Sequence, residues 1–141
     1  MVILKTAALF HDCGFVNVYH EHEEEGCRIA LERLPAFDYT AEQVEKICEL
    51  IMATKMPQQP KTTLEKILCD ADLSYLGRDD YESTAQKLFE EWNQRGKISS
   101  VNEWNKVQIK FLESHHYWTS AGIAKGENKK KEHLKKLREM S

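Results

Sequence analysis

The spacing of apolar and polar positions divides the chain into a succession of helix-like segments. Residues 1–12 are apolar on nearly every face, which predicts a central helix enclosed by others, with Gly14 as its stop. A second helix is expected over His22–Leu34, with Glu23, Glu24 and Glu25 in a first turn whose dipole favours acids, and with Pro35 just past its end. The third runs from Thr40 to about Thr54. Thr40 and Gln43 form a capping box ahead of a 3.6-residue stripe of Val44, Ile47, Cys48 and Ile51. Pro57 and Pro60 then impose a loop. A box of Thr62 and Glu65 opens a fourth helix that ends near Gly77, and Tyr81–Arg95 forms a fifth, closed by Gly96. A third box, Ser100 with Glu103, opens a long helix that sets Trp104, Val107, Phe111, His115 and Trp118 on one face. Glu127–Met140 reads as a short polar helix or a frayed tail.

Composition agrees with an all-α fold of about six to seven helices: only 6 Gly and 3 Pro interrupt runs rich in Leu, Glu, Lys and Ala. The length of 141 residues suits a single domain over 1–141 with a real core. The net charge of −3 is unevenly spread. A basic tail from Lys125 onward holds seven Lys/Arg against three Glu, and the body is acidic. Interspersed acids make that tail a solvated helical face, so no nucleic-acid partner is expected. Cys13, Cys27, Cys48 and Cys69 include no C-x-x-C pair and sit in apolar helical patterns, as reduced thiols of a cytoplasmic protein would. The apolar start carries Lys5 in its middle and lacks a cleavage site, and no run reaches membrane-spanning length.

Two stretches carry ionisable groups against the apolar pattern. "KTAALFHDCGF" ends its apolar run in His11 and Asp12. Adjacent helical residues diverge by about 100°, but at a helix end both side chains can turn toward one point, and imidazole with carboxylate is a donor pair that divalent transition metals accept. Taken alone, a His-Asp pair reads rather as a buried histidine beside a capping aspartate. "KILCDADLSYLG" adds two aspartates at i and i+2. Taking Leu64 as origin and about 100° per residue, Ile67, Leu68, Ala71 and Tyr75 cluster as the core within roughly 60°, Asp72 borders them at roughly 80°, and Asp70 falls at roughly 240° on the solvated side. A carboxylate bordering the core needs a partner or a metal.

The order "AALFHDCG", then "HEEEGCRIALERLP", then "ILCDADLSYLG" resembles the HD superfamily of metal-dependent phosphohydrolases, whose signature is H…HD…D. The resemblance covers residues 1–78 as a motif-bearing core and leaves 79–141 as C-terminal helices. That second half, with "FLESHHYWT", resembles a bacterial branch of HD proteins. The resemblance implies an HD-domain-like helical bundle, with His11, Asp12 and Asp72 as ligands of a divalent ion (Mg, Mn, Fe, Co, Ni or Zn). Asp12 also has a catalytic role in orienting water. His22 matches the His-Glu-Glu helix start of the family and is expected at the substrate. The family's first histidine has no counterpart. Together with the missing cap before Val2, this leads to the expectation of a fragment that is metal-poor, catalytically weak and prone to homodimerise or rearrange over its first helix. The position near Thr54 is not histidine either, so one metal is expected.

The function implied is hydrolysis of a phosphorylated small molecule or nucleotide. A metal on such ligands lowers the pKa of water and polarises a phosphoryl oxygen, and Lys55 and Arg78 are the nearest cations for the phosphate. The alternative is an HD-fold regulatory or binding module without turnover. His20 is expected in solvent, and His115 in the core stripe of its helix.

Overall fold

The capping boxes are the clearest link between sequence and local structure. In a computed structural model that describes residues 1–16 and 20–141, the Thr40 hydroxyl accepts from Gln43 N at 3.1 Å while Gln43 accepts from Thr40 N at 2.9 Å. The same reciprocal pair joins Thr62 and Glu65. At Ser100 the box is displaced: its hydroxyl accepts from Glu103 N, but the Glu103 carboxylate turns back to Ser99. Each cap satisfies amide groups that a helix start otherwise leaves without partners. Thr40→Ala is expected to cost about 1 kcal/mol of stability by urea denaturation.

The described residues contain seven α-helices and no strand. They are α1 Val2–Phe10, α2 His22–Arg33, α3 Ala41–Ala53, α4 Thr63–Asp72, α5 Tyr81–Gln94, α6 Val101–Ser114 and α7 Ser120–Glu139. Short 3-10 turns follow α1, α2 and α4. Two compact units result, Met1–Asp72 and Leu73–Ser141. Among the described residues no helix is long and apolar enough to cross a membrane.

In the first unit the expected α3 stripe is the centre of the core. Val44, Ile47 and Ile51 are buried, with Cys48 half-buried beside them, and Ala7 of α1, Ala30 of α2 and Leu68 of α4 close around them. All four cysteines are free thiols, and burial pushes those of Cys27 and Cys69 up to about 12.

Three expectations are corrected in the first unit. The first helix is not enclosed: α1 buries Thr6 and Ala7 and leaves Val2 and Leu9 65% and 76% exposed. Nor does Gly14 stop it, since α1 ends at Phe10 with His11 as its C-cap and Gly14 lies in the following 3-10 turn. The inward face of α4 is rotated from the apolar stripe. Leu64, Ile67 and Ala71 are exposed, and Leu68, Cys69 and Asp70 are buried, so Asp70 is not solvated.

In the second unit α6 stops at Ser114. His115 has left the helix with φ −75° and ψ 142°, so it does not extend the stripe. The inward face of α6 is Trp104, Asn105, Gln108 and Leu112. The tail is no frayed end, because α7 has 20 residues and buries Gly126, Lys130, His133 and Leu137. Gly77 lets the turn at Ser74–Gly77 approach α7: a Cβ on Gly77 would lie 2.4 Å from Gly126 Cα.

Candidate metal centre

The end of α1 sets the geometry of the site. His11, still right-handed at the C-cap, donates its amide to Ala7 O, and its ring Nδ1–H donates to Ala8 O at 2.6 Å. That bond leaves Nε2 as the outward nitrogen, the orientation in which a histidine is held for a metal. Nε2 lies 3.2 Å from Asp12 Oδ2 and 3.0 Å from Asp72 Oδ1. One donor atom from each of the three residues falls within 4.8 Å of the others.

Asp72 arrives at the last position of α4. It sits at roughly 80° on the wheel, which borders the apolar stripe but lies well inside the true inward face. It reaches His11 because the helix turns that face inward, and the core drawn from Leu64, Ile67 and Ala71 was the wrong one.

Electrostatics tie the three together. Hydrogen bonds to Asp12 first and Asp72 second outweigh the desolvation of His11 and raise its pKa to about 10. The hydrogen bond to His11 holds Asp12 below the ordinary carboxylate range. Nε2 cannot carry that proton and bind a metal at once, so the ion and the proton compete. In the metal-free chain the linkage has a definite sign. A histidine raised on folding contributes stability that is complete below its unfolded pKa of about 6.5 and is lost as pH rises through about 10. Thermal melts in chelator should therefore show this contribution disappearing across that window in the wild type and absent in His11→Gln.

The donor set suits a divalent ion. It offers one imidazole nitrogen and two carboxylate oxygens, with the imidazole fixed from behind by a backbone carbonyl.

The remaining expected residues are differently placed. His22, at the start of α2, brings Nε2 to 3.6 Å from Asp12 Oδ1 and stacks its ring on Phe15 at 3.8 Å between centroids. Lys55 is half-buried and paired with Glu24. Arg78 belongs to the second unit, where it holds Asp80 at 2.9 Å. His20 is exposed.

Glu23 was missed. It is 7% exposed, and its Oε2 lies 2.7 Å from His22 Nε2. The three consecutive acids read only as a first turn whose dipole favours them, yet the signal was present. Glu23 stands at i, i+3, i+7 and i+11 with Gly26, Ala30 and Leu34, all of them buried, so it lies on the inward face of α2 and needs the partner that His22 supplies.

A family model described as HD domain matches residues 1–74 of the chain. No curated protein and no solved structure matched it.

Proposed function

From a chain that belongs to the HD domain family, a superfamily of metal-dependent phosphohydrolases, we propose a phosphohydrolase that uses a divalent ion held by His11, Asp12 and Asp72 to hydrolyse a phosphorylated small molecule or a nucleotide. The observation that carries this reading is the convergence of the three donors within 4.8 Å from two separate helices, with the tautomer of His11 fixed by Ala8 O. When bound, such an ion supplies Lewis acidity and water of lowered pKa. The protein's own groups do the rest. Ala8 O holds the His11 ring, and Asp72 buttresses it from α4. Asp12, the most exposed of the three, has a carboxylate open to solvent that can accept a hydrogen bond from water and orient it. Glu23 anchors His22 beside Asp12, where its ring can donate to an incoming phosphoryl oxygen. Lys55 serves substrate only by exchanging its present carboxylate partner, Glu24, for phosphate.

The test is phosphate release from p-nitrophenyl phosphate, its bis ester and a nucleotide panel. Untagged protein would be loaded with each divalent metal in turn and compared with the same protein in chelator. Release that needs metal and disappears in His11→Gln is the expected result. Stoichiometric metal without release from any substrate would instead support a binding module that keeps the fold and does not turn over.

A further inference from the structure

The second unit contains a cleft of about 290 Å³ between α5, α6 and α7 that shares no residue with the metal cluster. Its walls combine aromatic and aliphatic side chains. Phe89 and Trp104 pack at 6.1 Å between ring centroids, and Tyr81 stacks on His133 at 4.6 Å. Polar groups enter from the same helices and are joined in a directed chain. The Tyr81 hydroxyl donates to Gln108 Oε1 at 2.7 Å, and Gln108 Nε2 donates to Asn105 Oδ1 at 3.4 Å. The direction of that chain fixes the Asn105 amide with its oxygen occupied and its Nδ2–H₂ group turned outward. His133 Nε2 donates to Arg78 O at 2.8 Å, which leaves Nδ1 of the neutral ring as an acceptor.

Asn105 and His133 are 7% and 9% exposed, and both line the cleft. Among the described residues nothing hydrogen-bonds Asn105 Nδ2 or His133 Nδ1, and neither atom is sealed from solvent. Polar groups this deeply buried are ordinarily satisfied. One donor and one acceptor left open in a cleft of nearly the volume of small-molecule sites, about 300 Å³ and above, are the usual marks of a ligand site.

The charge of the lining narrows the class. Glu82 and Lys136 are its charged residues, and they neutralise each other in an ion pair at the rim, so neither phosphate nor a metal ion finds an unmatched charge there. We propose that this cleft binds an uncharged planar nitrogen heterocycle whose ring carbonyl accepts from Asn105 Nδ2 and whose ring N–H donates to His133 Nδ1, with Phe89 and Trp104 beside its ring.

Uracil and hypoxanthine are suitable probes, with 1,3-dimethyluracil as a planar analogue that lacks the N–H and naphthalene as one that lacks every polar group. Ligand-observed saturation-transfer NMR on the whole chain reads binding, and the ¹⁵N-resolved side-chain amide of Asn105 reports contact. The expected result is binding of uracil or hypoxanthine with a shift of that amide, and about tenfold weaker binding both of 1,3-dimethyluracil and by Asn105→Leu. The wild-type amide shift stands independently of whether Asn105→Leu folds. Absence of the shift with both heterocycles, or equal binding of 1,3-dimethyluracil or naphthalene, would overturn the proposal.

Discussion

Replacing Asp72 by asparagine is expected to weaken divalent-metal binding about a hundredfold or more. Loss of a group that only orients a ligand costs ten- to a hundredfold, and in the proposed site Asp72 would contribute the donor oxygen itself, which lies 3.0 Å from His11 Nε2. The substitution preserves shape and removes one of two anionic donors, so the fold should survive. Asp70 is the informative comparison because it lies two residues away on the same helix and is 7% exposed. Asp70→Ala should lower stability by about 1–3 kcal/mol while leaving metal affinity nearly unchanged once the protein is folded. Equilibrium dialysis against Mn²⁺ and urea denaturation of both variants separate the two effects. Equal losses of metal would mean that the donor set is wrongly drawn.

Gly14→Ala should be the most destabilising single-methyl change in the first unit, costing more than about 3 kcal/mol. A Cβ there would lie 1.8 Å from the His22 carbonyl oxygen and within 2.8 Å of His22 Cα, and both are backbone atoms that no rotamer change can move away. Relief requires the start of α2 to shift, and with it His22 and the ring stack on Phe15. The variant should therefore melt far below wild type, and any folded fraction should hold His22 away from Asp12. A Gly14→Ala protein within about 0.5 kcal/mol of wild type would show that this close approach is not maintained in solution.

These two sites differ in how far the sequence announces them. His11, Asp12 and Asp72 were legible because their residue types are chemically uncommon in apolar runs and their order matches a known signature. The requirement at Gly14 was not, since the sequence marks it as a helix stop and only the approach of α2 reveals the contact. The buried role of Glu23 lay between these cases. The helical register contained it, but the run of acids was already accounted for by the helix dipole.

What the sequence determines by itself is local. Thr40 with Gln43 and Thr62 with Glu65 start their helices because each pair satisfies its own amide groups, with no help from elsewhere. The α3 stripe is equally secure, because Val44, Ile47 and Ile51 leave that helix only one face to bury. The tertiary structure decided the rest. On α4 the apolar residues Leu64 and Ile67 are 40% exposed while Asp70 is inside, because the facing helices, and not the hydropathy of α4 alone, set its rotation. On α7 the inward stripe is Gly126, Lys130, His133 and Leu137, with Leu137 its one large apolar residue, so hydropathy gives no sign of it. Lys130 is accommodated there because its ammonium donates to His115 O at 2.7 Å and meets Glu127 at 3.3 Å. Glu127 stands on the preceding turn of α7 itself, whereas His115 stands in the loop before α7 and comes within reach only when the chain has folded back on itself.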